Sequence, residues 1–151
     1  MSFTVVINSS HAVDISTLYA QREYRIDWSR FEEGEYEMSF SFDSAYQEND
    51  VFNVNSIAHM LSLPDLPLKD VVCSVGGRTQ SSSGVGLLSL HPLGDGATFP
   101  SGQNYISNPS NKPVVCNRPS SHDFRVRFLG LTGEEITLFV DYTLVLYFKK
   151  I

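Results

Sequence analysis

The sequence predicts an all-β chain, an antiparallel two-sheet sandwich of about eight or nine short strands forming a single domain over residues 1–151. Three observations predict it. Apolar residues recur at every second position in three separate segments, which puts them on one face of a strand. Ten Phe and seven Tyr stand against three Met, and flat rings pack well on a half-buried pleated surface. Turn signals separate the segments throughout, as in sandwiches and barrels.

Taken in order, residues 3–7 form a short first strand and residues 24–28 a second. Glu32-Glu33-Gly34 reads as a turn into the clearest alternation, in which Tyr36, Met38, Phe40 and Phe42 share one side and Glu37, Ser39 and Ser41 the other. These two strands are expected to make an antiparallel hairpin. Weaker strands follow at 51–57, 71–75, 84–90 and 114–116. Phe124-Arg125-Val126-Arg127-Phe128 alternates cleanly and ends at Gly130 and Gly133. From Ile136 every even position through Phe148 is apolar; that run exceeds the usual strand length and predicts a bend near Asp141. One or two short helical turns are expected, at 16–21 with Ser16 as N-cap and at 56–61, stopped by Pro64 and Pro67. The stretch 76–119 is rich in Gly, Pro, Ser and Asn and reads as long surface loops joining sheets in Greek-key fashion, around the apolar strands inside it.

Apolar residues make up 42% of the chain and charged residues 19%, a globular balance. The formal charge of -6 argues against phosphate binding, because nucleic-acid binders carry a basic stripe. Arg22 with Arg25, Arg125 with Arg127, and Lys149-Lys150 read as solvated strand faces. The first residues lack the basic and apolar regions of a signal peptide, and no apolar run is long enough to span a bilayer, so folding in a reducing cytoplasm is expected. Cys73 and Cys116 are too few for a disulfide scaffold and lack zinc spacing. Each reads as a buried small apolar residue, with a mutual bridge left open.

Chemistry-bearing patterns are thin. His11, His59, His91 and His122 lack the spacing that brings two imidazoles onto one metal. Gly84-Val85-Gly86 and Gly94-Asp95-Gly96 read as turns, since no helix pattern follows to complete a phosphate cradle. Glu32, Glu33, Glu35 and Glu37 read as a solvated face that discourages edge pairing. Tyr24, Trp28 and Tyr46 offer a carbohydrate-stacking platform on one reading and core or rim rings on the other. No catalytic residue, metal ligand or cofactor site is assigned, and an enzyme is not expected.

The last strand breaks its own pattern. Phe139, Val145 and Tyr147 are apolar on the face that should be wet. Either loops cover this face or it meets a partner subunit. The three residues are the interface candidates.

Tyr24-Arg25-Ile26-Asp27-Trp28-Ser29, then Glu33 through Phe42, then Asp141-Tyr142-Thr143-Leu144-Val145-Leu146-Tyr147-Phe148 resemble, in this order, the small single-jelly-roll structural proteins of large icosahedral DNA viruses, the minor capsid and penton-like components. Tumour-necrosis-factor-like and C1q-like trimer domains share the same strand logic. The resemblance implies a jelly roll that assembles in host cytoplasm into a virion, as a trimer or pentamer in contact with other capsid proteins, and it carries no functional residue over. The expected function is therefore a self-associating structural component. The alternative is a lectin-like or receptor-binding module using the 76–119 loops.

Overall fold

A computed structural model describes residues 1–13, 21–44, 58–70, 72–75, 78–81, 84–92, 103–130 and 141–151. The fold is all-β. Its strands are β1 (Ser2–Asn8), β2 (Gln21–Arg25), β3 (Glu35–Ser44), β4 (Met60–Ser62), β5 (Val72–Val75), β6 (Arg78–Ser81), β7 (Gly84–Pro92), β8 (Gln103–Ser107), β9 (Val114–Asn117), β10 (Asp123–Leu129) and β11 (Tyr142–Lys150). Nine of them form one antiparallel sheet in the order β1-β11-β3-β8-β7-β4-β10-β2, with β9 also on β3, while β5 and β6 pair separately. The large sheet is nearly barrel-like.

Alternation drives the curl. In β3, Tyr36, Met38 and Phe42 are buried and Phe40 packs half-buried against them; in β11, Tyr142, Leu144, Leu146 and Phe148 are buried; in β10, Phe124, Val126 and Phe128 are. A two-residue period puts each set on one face, and the two ends of the sheet bring those faces together. Rings from opposite ends meet at two places. Phe42 of β3 lies 5.6 Å from Phe128 of β10, edge to face, and Phe128 lies 5.4 Å from Tyr142 of β11. Trp28 lies 5.4 Å from Phe124 and 5.8 Å from Phe148.

β7 makes the corner. Its first residues pair with β4, Met60 opposite Leu87, and its last pair with β8, from Leu88 opposite Ser107 to Pro92 opposite Gln103. At the changeover the Asn111 amide stands in for a strand: its Oδ1 accepts from Leu87 N–H at 2.9 Å and its Nδ2 donates to Leu87 C=O at 3.1 Å. Between β3 and β8 only Asp43 opposes Ile106. There Ser44 Oγ accepts from Tyr105 N–H at 2.6 Å and Ser107 Oγ from Phe42 N–H at 3.2 Å. Side chains thus satisfy backbone groups where the bend separates the ladders, the buried Tyr105 N–H among them.

Several expectations need correction. β2 does not fold back on β3; it pairs with β10, Tyr24 opposite Phe124. The chain leaves β2 through a 3-10 turn at Trp28–Arg30, where Asp27 Oδ1 accepts from Ser29 N–H and Trp28 is buried. Alternation specifies which face is apolar and is silent on which strand lies alongside. Residues 60–61, read as helical, belong to β4, because pairing with β7 and β10 outweighs their modest helical pattern. The second 3-10 turn is Ser9–His11. Gly84 and Gly86 lie inside β7 rather than in a turn. A Cβ at Gly86 would sit 2.5 Å from Phe40 Cε1 and 2.8 Å from Asn111 Nδ2, so that position admits no side chain without repacking. β6 and β8 appear within the stretch read as loops. The expected strand at 51–57, the turn at 16–20 and residues 136–140 lie outside the described residues, and Asp141 stands just before β11.

Gly86→Ala is expected to destabilise the fold by about 1–3 kcal/mol through overpacking, measured by urea unfolding. Combining it with Phe40→Leu should recover part of the loss. A neutral Gly86→Ala would contradict this packing.

Candidate interaction face

The same alternation that buries the even residues of β11 turns Thr143, Val145, Tyr147 and Lys149 outward. β1 and β3 flank β11 in continuous register, so the outer face is a grid of cross-strand rows. One row runs Thr4, Tyr147, Ser39 and the next Val6, Val145, Ser41. Outside these lie Ser2, Lys149, Glu37 at one end and Asn8, Thr143, Asp43 at the other. The two central rows carry no charge, and the charged residues sit at the ends. Val6 is 65% exposed, Tyr147 46%, and Val145 half-buried. An apolar centre with a polar rim is the composition of a contact surface.

Two of the three sequence-predicted interface residues, Val145 and Tyr147, therefore stand on one open face, and Phe139 lies outside the described residues. Val6 was missed. Its signal was present, since Val5 and Val6 are adjacent and cannot both point inward in a strand. A shallow depression lined by Ser2, Thr4, Glu37, Ser39, Tyr147 and Lys149 marks one end of the face.

The glutamates near the start of β3 are exposed and matched to cations. Glu32 pairs with Lys150, Glu35 with Lys69, and Glu33 with Arg118 Nη2 at 3.0 Å. The Lys150 hydrogen bond, and then its charge, holds the Glu32 carboxyl below its ordinary range. Exposed pairs of this kind contribute little stability; the Glu32–Lys150 pair ties the end of β11 to the entry of β3. Arg118 also donates to the Phe31 carbonyl, and Arg125 grips Asp65 through both carboxylate oxygens. Lys69, Lys150, Arg118 and Arg125 thus serve structural ion pairs.

Under the opposite end of the face lies a polar junction. Ser9 Oγ donates to Asp141 Oδ1 at 3.2 Å and accepts from Tyr142 N–H at 3.0 Å. The hydroxyls of Tyr24 and Tyr142 share a 2.7 Å hydrogen bond. Arg22 donates to the Ser9 carbonyl at 2.9 Å, its guanidinium 5.9 Å from the centre of the Tyr142 ring. Burial is the main cause that raises both phenol pKa values. This junction spans the two halves of the sheet.

Tyr24 and Trp28 are 4% and 1% exposed, so they are core rings and form no stacking platform; Tyr46 lies outside the described residues. His122 Nδ1 lies 3.1 Å from the Ile26 carbonyl, and His11 is exposed in its 3-10 turn. Cys116 is a buried free thiol, and the side chain of Cys73 lies outside what the structure describes. Among the described residues, no three His, Cys, Asp or Glu side chains converge as a metal set, and no helix is long and apolar enough to cross a membrane.

Burial, then the nearby Asp70 charge, pushes the Cys116 thiol up to about 12 from an ordinary 9.0. The unfolded chain releases this proton above pH 9, whereas the folded one holds it to about pH 12. Stability from this group is therefore complete below pH 9 and lost as pH rises toward 12. Urea unfolding between pH 7 and 11 should show the decline, less steep in Cys116→Ala; an identical slope in the variant would contradict it. No family model, curated protein or solved structure matches the chain.

Proposed function

We propose that the chain is a jelly-roll building block that works by protein–protein contact, self-associating as a structural component of a virion shell. Strand order supports the jelly roll. Leaving out β5, β6 and β9, the eight remaining strands in chain order pair first with eighth, second with seventh, third with sixth and fourth with fifth. That is one long four-paired ribbon, and its wrapping brings eighth beside third and seventh beside fourth. Such wrapping is how jelly rolls are built from two Greek keys.

The observation that carries self-association is the uncharged centre of the β1–β11–β3 outer face, with Val6 and Tyr147 exposed in its two neighbouring rows. Burying rings and branched residues there gains hydrophobic free energy, and the rim of Lys149, Glu37 and Asp43 limits how a neighbour registers. The virion setting is supported by the resemblance of the three strand segments to capsid jelly rolls. Nothing among the described residues favours ligand binding by the 76–119 loops.

Sedimentation velocity at micromolar concentration should show wild-type self-association that Tyr147→Ser and Val145→Ser weaken while leaving the melting temperature unchanged. A strictly monomeric wild type would sink the reading, and so would variants that lose fold and association in parallel.

A further inference from the structure

The main path of the nine-stranded sheet, from which β9 branches at β3, ends at β1 and β2, and these two edges are unlike. β2 carries Arg22, Glu23 and Arg25, and Val13 N–H donates to the Glu23 carbonyl at 2.8 Å. β1 reads Ser-Phe-Thr-Val-Val-Ile-Asn, with no charge, proline or glycine, and its register with β11 runs unbroken. Sheet proteins guard bare edges with charges, prolines, bulges or covering segments. β2 is guarded in this way. Among the described residues, β1 is not.

Backbone polarity can be assigned along β1. Lys150 N–H donates to the Met1 carbonyl at 2.9 Å, and Ile151 N–H donates the other way, to Glu35, at 3.0 Å. Even residues of β11 therefore bond β1 and odd residues bond β3. It follows that Phe3, Val5 and Ile7 direct their backbone groups at β11, while Ser2, Thr4 and Val6 direct theirs to the open side. Nothing among the described residues pairs with that side, and Thr4 and Val6 are exposed.

We propose that this edge pairs antiparallel with β1 of a second copy, across a two-fold axis through Val5. A second copy fits because the edge is complementary to itself. Pairing about Val5 sets Thr4 opposite the partner's Val6 and Ser2 opposite the partner's Asn8, so open backbone groups face open backbone groups. A one-residue slip would set them against groups already bonded to β11. Charge points the same way. Copies with a formal charge of -6 repel, and the contact places an uncharged strand between them. Across the axis, the row Ser41, Val145, Val6 continues into the partner's Thr4, Tyr147 and Ser39, without a charge. The Glu37, Lys149, Ser2 row continues into the partner's Asn8, Thr143 and Asp43, with no like charges adjacent. The contact is isologous and closes at two copies, leaving the outer face free for further association. It rests on the self-association proposed above and says where one contact forms.

The test combines charge and crosslinking. Thr4→Lys/Val6→Lys should abolish the dimer seen by native mass spectrometry while the melting temperature stays, since both side chains point to solvent. Thr4→Cys/Val6→Cys, oxidised at micromolar concentration, should yield a disulfide-linked dimer, because directly opposed residues lie within bridging distance. Thr4→Cys alone should yield none beyond the wild-type control, since the two copies of residue 4 would be roughly 8 Å apart. Crosslinking by the single variant would overturn the Val5-centred register. A self-associating wild type whose dimer survives the lysines, with no crosslink from the double cysteine variant, would overturn the edge contact and leave self-association standing. A monomeric wild type would overturn both.

Discussion

Phe42, Phe128 and Tyr142 meet where the two ends of one curled sheet lean together, their ring centres 5.3 to 5.6 Å apart. The other features depend on this contact and on the Trp28, Phe124 and Phe148 cluster beside it. β3 and β11 lie toward one end of the sheet and β10 toward the other, and β10 pairs with neither of them; aromatic packing couples β10 to both. Each ring removes a large apolar surface from water, and edge-to-face geometry adds a little more. The strand period then converts inside to outside. With Tyr142, Leu144, Leu146 and Phe148 committed to the interior, Val145 and Tyr147 have only the outer face left to them. The apolar character of that face is not a consequence of core demand.

The curl has a backbone cost that side chains offset. A sheet that bends back on itself opens its ladders at the corners, and open buried donors are expensive. Asn111 holds both backbone groups of Leu87 where β7 changes partners, and the Ser44 and Ser107 hydroxyls accept backbone donors where β3 and β8 touch at one residue pair. Gly86 sits at the same corner because Phe40 and Asn111 fill the space a side chain would need. Ser107 and Asn111 lie in the stretch richest in turn formers, where they work as parts of the sheet.

Much of this was legible in the sequence wherever the two-residue period was strong. β3, β10 and the described part of β11 follow their alternation, and the outward placement of Val145 and Tyr147 follows with them. Pairing was not legible. Tyr24 to Trp28 looked like the first arm of a hairpin, yet burial of Trp28 needs a tight turn and a different neighbour for β2. The short strands β4, β6 and β8 escaped notice because three to five residues show too little periodicity. Val6 was overlooked for a related reason: one extra apolar residue in a seven-residue strand looks unremarkable until its row on the sheet is known.

The outer face and the β1 edge share the residues Thr4 and Val6, and self-association through the proposed edge contact covers their open amides. Hydrogen exchange resolved by residue, followed from dilute to concentrated protein, tests the central claim of self-association most directly. The Thr4 and Val6 amides should slow with rising concentration while those of β10 keep their rates. Exchange at Thr4 and Val6 that stays fast and independent of concentration would contradict the account.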